Sequence, residues 1–237
     1  MLNPIQYLDH HELGFPPTHY ALNQPDGLLA VGGDLAPERL FDAYHQGIFP
    51  WFNEGEPILW WCPSQRAIFK PSDIKLSRST RRQSQKLGYE YSINQNFNDV
   101  IRACAAPRDG IDGTWISEPM IQAYQQLHRQ KLAHSIEIWH KDQLVGGLYG
   151  LGIGGVFCGE SMFYRQSGAS KLALYLLAKH CQQLHVELID AQILNPHLSS
   201  LGASVIPRAQ FLFTLKQLHQ RAVAWQHWAQ PRRALHD

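Results

Sequence analysis

The chain has 237 residues, 44% of them hydrophobic and 17% charged. That is an ordinary globular composition, and it excludes a disordered chain. The net charge of +1 excludes a globally basic nucleic-acid binder, so any such binding must use a local patch.

Charge is unevenly distributed along the chain. Residues 1–62 carry Arg39 as their only Lys or Arg, against Asp9, Glu12, Asp26, Asp34, Glu38, Asp42, Glu54 and Glu56. Residues 64–86 carry Arg66, Lys70, Lys75, Arg78, Arg81, Arg82 and Lys86 against Asp73 alone. The change at Pro63 predicts a boundary between a small N-terminal domain, 1–63, and a larger domain, 64–237. Cys62, Cys104, Cys158 and Cys181 form no Cys-x-x-Cys pair, so reduced, buried thiols are expected. The first residues, MLNPIQYLDHHELGF, lack the basic and apolar regions of a secretory signal. The longest apolar stretch, Leu144 to Phe157, holds six glycines and is too short to span a bilayer.

The first 62 residues are rich in turn formers and hold one good helix, from about Pro37 to Gln46, with Leu40, Ala43 and Tyr44 as its apolar stripe and Gly47 after it. With so few periodic elements, this lobe must pack on something larger. Helices are predicted near Ser79–Leu87, Phe97–Ala105 and Ser117–Arg129, the last with Ser117 as N-cap. Strand-like runs follow at Ala133–His140, Gln143–Gly150 and Gly155–Phe163, the first two joined as a hairpin by Lys141-Asp142. A long helix (Gly168–Leu184), a strand (Val186–Leu194) and a final helix (Arg208–Gln220) complete the chain. The class is α+β, a small N-terminal domain plus a larger α/β domain. The order hairpin, strand, helix, strand, helix resembles the N-acetyltransferase fold, an analogy that places the core and not the chemistry.

Three patterns point to chemistry. Asp190 and Gln192 share one face of a mostly apolar strand, so they form either a buried hydrogen-bonded pair or a polar pair lining a cleft. Glu160 sits in a row with Val156, Cys158 and Met162, and is either neutralised by Lys171 or Arg165 or handles a cation or proton. Gly159 beside it lets a ligand approach the backbone. Trp51 and Trp115, in turns containing Pro50 and Gly113, are the tryptophans best placed to be partly exposed and to stack on a nucleobase. Arg78, Arg81 and Arg82 are either a solvated helix face or a phosphate-binding one. The small residues of Arg165-Gln166-Ser167-Gly168-Ala169-Ser170 would leave helix N–H groups open to an anion, faintly like the pyrophosphate loop of acetyl-CoA-dependent acetyltransferases. The thirteen histidines show no metal spacing, so no metal site is expected.

Gly27-Leu-Leu-Ala-Val-Gly-Gly-Asp34, Ala43-Tyr-His-Gln-Gly-Ile-Phe-Pro-Trp-Phe52, Ile58-Leu-Trp-Trp-Cys-Pro63, Gly113-Thr-Trp-Ile116, Phe157-Cys-Gly-Glu-Ser-Met-Phe163, Leu188-Ile-Asp-Ala-Gln192 and Ser200-Leu-Gly-Ala203 occur in that order. Together they resemble the bacterial leucyl/phenylalanyl-tRNA–protein transferase family. The resemblance implies a cytoplasmic enzyme, without metal or organic cofactor, that moves Leu, Phe or Met from aminoacyl-tRNA to the N-terminal Arg or Lys of a protein, marking it for N-end-rule degradation. It implies that Trp51, Trp115 and Gly159 bind the aminoacyl-adenosine end. Glu160, Asp190 and Gln192 would form the polar active site, and Leu148, Phe157, Leu177 and Cys181 the pocket for the transferred side chain. Leu177 and Cys181 stand where some members have phenylalanines. Arg78, Arg81 and Arg82 would contact the tRNA backbone, and the protein is expected to act as a monomer away from membranes.

An amine attacking an aminoacyl ester gives an amide, a downhill exchange that needs alignment and proton transfer. The Gln192 carbonyl is placed to accept a hydrogen bond from the amine, with Asp190 orienting or polarising Gln192. Two competitors remain at this stage. An acetyl-CoA-dependent N-acetyltransferase leaves the Trp-rich acidic lobe and the basic segment without a role. A non-catalytic tRNA-binding protein leaves Glu160, Asp190 and Gln192 unexplained.

Overall fold

A computed structural model describes residues 5–10, 12–107 and 114–235. Gly113, part of one of the quoted strings, lies outside them. The N-terminal lobe holds β1 (Gln6–Leu8), β2 (Leu28–Gly32), α1 (Pro37–His45), β3 (Phe49–Pro50) and β4 (Leu59–Trp61). Its strands form one sheet in the order β1-β2-β4-β3. Pro37 opens α1, and Leu40, Ala43 and Tyr44 are the buried stripe the sequence predicts. Arg39 is buried too, its guanidinium held by Asp34 and by the carbonyls of Asp9 and Glu12.

The rest of the chain supplies β5 (Gln65–Phe69), α2 (Arg78–Leu87), β6 (Glu90–Ile93), α3 (Phe97–Ala105), α4 (Glu118–Arg129), β7 (Ala133–His140), β8 (Gln143–Ile153) and β9 (Val156–Tyr164). Then come α5 (Ala169–Gln183), β10 (Leu188–Gln192), α6 (Pro196–Ser200), β11 (Ser204–Pro207), α7 (Arg208–Leu218) and β12 (Gln230–Ala234). The eight strands from β5 onward make one sheet, ordered β11-β5-β10-β9-β8-β7-β6-β12. The hairpin β7–β8 and the helices α3, α4, α5 and α7 lie where the sequence periodicity puts them. Strands β5, β6, β11 and β12 were not anticipated; each is short, and each is set by pairing with a neighbour rather than by its own pattern. Ser117 occupies the N-cap of α4, but its hydroxyl is buried and caps nothing. Ser77 does cap α2, accepting from the Thr80 N–H at 3.1 Å, and Gly88 ends that helix at φ 64°.

The lobe has no core of its own. Leu29, Leu40, Tyr44, Ile48 and Trp60 share one buried cluster with Phe97, Val100, Met120, Tyr124 and Phe211. A second cluster, on the other side of the large sheet, joins β8, β9 and α5 to Trp225 and Trp228 from the C-terminal segment. Trp225 lies over Gly152, where a Cβ would stand 2.3 Å from the indole, so only glycine admits the ring. All four cysteines are free and buried. Among the described residues no helix is long and apolar enough to cross a membrane.

Trp228 is 3% exposed and packs edge-on against Phe157 and Trp225. Replacing it by Ala should cost about 3–5 kcal/mol of unfolding free energy in urea. A loss below about 1 kcal/mol would show that the C-terminal segment is a dispensable tail.

Candidate active site

The site lies where β9 and β10 part. These two parallel strands pair at Leu188–Val156, Ile189–Phe157 and Asp190–Cys158, and no further. Beyond that point Gly159 and Glu160 on β9 face Gln192 on β10. Each strand is irregular there. In β9, Gly159 pairs with Gly150 and Ser161 with Tyr149, so Glu160 is an extra, bulged residue. In β10 the register against β5 slips between Asp190 and Gln192.

The bulge corrects the sequence reading of β9. Val156 and Cys158 face the cluster shared with the N-terminal lobe, but past Glu160 the alternation flips. Phe163 joins that cluster, while Met162 packs against the other. The apolar row of Val156, Cys158, Glu160 and Met162 is thus broken at Glu160.

Glu160 is paired with neither Lys171 nor Arg165. The Tyr124 hydroxyl donates to its Oε2 at 2.9 Å, and the Gln192 Nε2 donates to its Oε1 at 2.7 Å. The Tyr44 hydroxyl, from the N-terminal lobe, makes a short hydrogen bond with that of Tyr124. Since Tyr124 gives its proton to Glu160, Tyr44 is the donor in that contact. Burial pushes the Glu160 carboxyl up to about 7, against the opposing pull of these hydrogen bonds. Burial, with the Glu160 charge behind it, raises the phenols of Tyr44, Tyr124 and Tyr149 well above 10.0, so they stay protonated.

Asp190 is not on the cleft wall. It is 1% exposed and lies beneath, in a two-pronged ion pair with Arg66 of β5: Nε to Oδ1 and Nη2 to Oδ2, both 2.7 Å. Arg66 is equally buried, so it does not belong to the basic surface counted with it in the sequence. Its guanidinium lies between the rings of Phe49 and Phe211, at 4.8 and 4.5 Å, and its Nη1 donates to the Gly47 carbonyl at 3.0 Å. Burial is the largest influence and works to lower the Arg66 pKa, but the Asp190 charge and its hydrogen bonds, with smaller help from Cys62 and Cys158, together outweigh it and the net shift is upward. Removing Asp190 alone strands that cation, at a cost of about 3–5 kcal/mol.

Asp190 reaches Gln192 through the backbone: the Gln192 N–H donates to Oδ1 at 3.0 Å. Gln192 itself has φ 58°, a left-handed conformation unusual for a non-glycine residue. Its side-chain nitrogen is committed to Glu160, and its Oε1 takes no hydrogen bond among the described residues. A Cβ on Gly159 would meet only the Asp190 carbonyl, at 3.5 Å, so the space over Gly159 is open. The arrangement offers an amide acceptor and a carboxylate side by side, on a partly open floor.

The other sequence-predicted residues fall into three places. Leu148, Phe157, Leu177 and Cys181 come together in one buried apolar cluster, at 3%, 0%, 1% and 0% exposure, closed by Trp225 and Trp228. Trp51 is 44% exposed, its ring 5.8 Å from that of Trp61, whereas Trp115 is half-buried against the shared core. Neither indole hydrogen-bonds to Glu160 or Gln192 among the described residues. Arg78, Arg81 and Arg82 are exposed on α2, with Arg81 set over the Tyr175 ring of α5 at 5.8 Å. At the turn before α5, Ala169 and Ser170 are buried, the Ala169 N–H donates to the Gln166 carbonyl at 3.2 Å, and a Cβ on Gly168 would meet Thr80 of α2 at 3.3 Å. Among the described residues no group of three or more His, Cys, Asp or Glu could hold a metal ion.

Sequence reasoning missed Tyr44, Tyr124 and Arg66. Tyr44 read as a member of an apolar helix stripe and Tyr124 was not singled out on its helix; the signal was that a buried phenol needs a polar partner. Arg66 read as one cation among seven; the signal was its place in Gln65-Arg-Ala-Ile-Phe69, a short strand buried from its second residue on.

The chain matches the family model described as "Leucyl/phenylalanyl-tRNA protein transferase" over residues 68–216, and that family's N-terminal domain over 33–64. It is 54% identical to the leucyl/phenylalanyl-tRNA–protein transferase of Shewanella halifaxensis, over 96% of this chain and 97% of that one. It is 53% identical to that of Shewanella pealeana, over 96% of each. A GCN5-related N-acetyltransferase from Kribbella flavida superposes with a TM-score of 0.38 at 11% identity, over 68% of this chain and 57% of that one, a likeness that says nothing about chemistry.

Glu160 is harder to ionise in the fold than in the unfolded chain, where its value is 4.5. Its contribution to stability is therefore full below pH 4.5 and is lost as the pH rises through about 7, by roughly 3 kcal/mol at most. Wild type should lose stability relative to Glu160→Gln between pH 4.5 and 7.5 in denaturant titrations. A difference that does not change with pH would place the Glu160 pKa near its ordinary value.

Proposed function

This chain belongs to the leucyl/phenylalanyl-tRNA–protein transferase family, and from that premise we propose how its residues divide the work. The protein is an aminoacyltransferase whose substrates are an aminoacyl-tRNA and a protein. The finer reading is that Leu, Phe or Met moves to the α-amine of an N-terminal Arg or Lys. A monomer of two domains, 1–63 and 64–237, does this in the cytoplasm and so marks proteins for N-end-rule degradation.

The observation that carries the site assignment is the Gln192–Glu160 contact. With Nε2 committed to Glu160, the Gln192 Oε1 is left as the acceptor of the pair, and the space over Gly159 on the adjoining strand is open. The acceptor's α-amine donates one hydrogen to Oε1, which aims the nitrogen lone pair at the ester carbonyl. The new C–N bond forms as the ester C–O bond breaks; the amine loses a proton and the ribose oxygen gains one. The unperturbed α-amine pKa is about 7.7–8.0, so a useful neutral fraction exists near pH 7. A neutral amide is a poor base, and Gln192 serves by alignment.

Glu160 reads the cationic side chain of the acceptor. It is partly buried among phenols, where a carboxylate is screened less than on the surface and selects Arg or Lys over a neutral residue. Tyr124, backed by Tyr44, holds its second oxygen. The apolar cluster of Leu148, Phe157, Leu177 and Cys181, next to Gly159 along β9, takes the transferred side chain. Trp51 and Trp115 stack on the terminal adenine, and Arg78, Arg81 and Arg82 run along the tRNA backbone.

Glu160→Gln keeps the volume and removes the charge. Transfer to Arg- and Lys-initiated peptides should fall by about tenfold or more, with aminoacyl-adenosine binding nearly unchanged. Collapse of donor binding, or intact discrimination between Arg- and Ala-initiated peptides, would assign acceptor reading elsewhere.

On the donor side, Trp51→Ala or Trp115→Ala should weaken donor binding by about 1–3 kcal/mol, with Phe recovering part of the loss. Neutralising Arg78, Arg81 and Arg82 should flatten the salt dependence of tRNA binding by roughly 0.7–0.9 per lost phosphate contact and spare a minimal aminoacyl-adenosine. Equal losses for both donors would remove α2 from the tRNA surface.

A further inference from the structure

The Arg66–Asp190 pair leads to the reacting groups by a single path. Asp190 uses Oδ1 for two donors at once, Arg66 Nε at 2.7 Å and the Gln192 N–H at 3.0 Å, while Arg66 Nη2 holds Oδ2. The carboxylate therefore cannot turn away from Gln192 without breaking the fork. Arg66 is itself fixed: Phe49 and Phe211 cover it, and the Gly47 carbonyl takes its Nη1. Gln192 sits at φ 58°, where the register against β5 slips and β10 ends, so its backbone needs something to hold it. The Asp190 carboxylate is what holds its N–H.

We propose that Arg66 is a positioning residue for transfer: through Asp190 it fixes the Gln192 backbone in its left-handed conformation, and thereby the aim of the Gln192 amide. This rests on the role given to Gln192 above. It changes the role of Asp190, which acts on the Gln192 main chain and not on the amide group. It also makes the N-terminal lobe part of the alignment, since Gly47 and Phe49 belong to it. Lysine cannot replace the arginine here, because one ammonium cannot hold both Asp190 oxygens and the Gly47 carbonyl in a planar fork.

The test is a double-mutant cycle in the full-length enzyme, using Leu-tRNA and an Arg-initiated peptide, with folding checked by urea unfolding. Arg66→Lys should lower kcat by about tenfold or more, with the KM for an aminoacyl-adenosine donor within about twofold of wild type. In a Gln192→Ala background the same substitution should cost less than about twofold in kcat, because the group it positions is gone. A purely structural role would lower kcat equally in both backgrounds, and that result would overturn the inference. Should Arg66→Lys fold poorly, Asp190→Asn runs the same cycle, since it keeps the volume and an oxygen for the Gln192 N–H but loses the charge that holds the fork. Gln192→Ala alone with wild-type kcat would refute the role of Gln192 itself, and this inference with it. An impaired Gln192→Ala with equal losses in both backgrounds refutes only the inference.

Discussion

A guanidinium and a carboxylate, each 1% exposed, can stay charged inside a protein only if nearly every donor and acceptor is used. Arg66 and Asp190 meet that demand at the joint of the molecule. Arg66 comes from β5, Asp190 from β10, the Gly47 carbonyl and the Phe49 ring from the N-terminal lobe, and the Phe211 ring from α7. The pair is expensive to bury and inert toward solvent, so its value lies in what it fixes. It fixes the end of β10, where the strand leaves its register and turns Gln192 toward Glu160.

The site is then built from two irregularities facing each other. The bulge in β9 puts Glu160 out of the ladder, and the slip in β10 puts Gln192 in a left-handed conformation. A regular parallel pair would keep strand hydrogen bonds running past this point and leave no gap. Tyrosines from α1 and α4 steady the carboxylate, so the small lobe contributes to the site at two places, Tyr44 on one side and Gly47 with Phe49 on the other. In the proposed mechanism, alignment at Gln192 and Glu160 depends on this junction, where the lobe shares its core with the larger sheet.

The elements with long, clear periods were legible in the sequence: α1, α3, α4, α5, α7 and the β7–β8 hairpin. The face shared by Leu188 and Asp190 was legible too, because β10 alternates regularly up to Asp190; the slip beyond it, which parts buried Asp190 from Gln192 on the cleft wall, was not. What alternation could not show is a bulge, since one extra residue leaves the composition unchanged; Met162 was therefore put on the wrong face. Nor could it show long-range partners. Glu160 was weighed against Lys171 and Arg165, its neighbours in sequence, whereas its partners Tyr124 and Gln192 are 36 and 32 residues away. Arg66 lies 124 residues from Asp190, and the run of cations around it disguised the one that is buried. Trp225 and Trp228 lie beyond the last matched string, and only the fold brings them onto Phe157.

In the proposed geometry, acceptor amine and aminoacyl ester meet over Gly159, between Gln192 and Glu160. A crystal structure with a non-reactive aminoacyl-adenosine analogue and an Arg-initiated peptide measures this directly. The peptide's α-nitrogen should lie within hydrogen-bond distance of Gln192 Oε1, its guanidinium on Glu160, and the donor side chain should be directed toward Phe157. A peptide bound with its first residue away from Glu160, or a donor whose ester lies out of reach of Gln192, would contradict it.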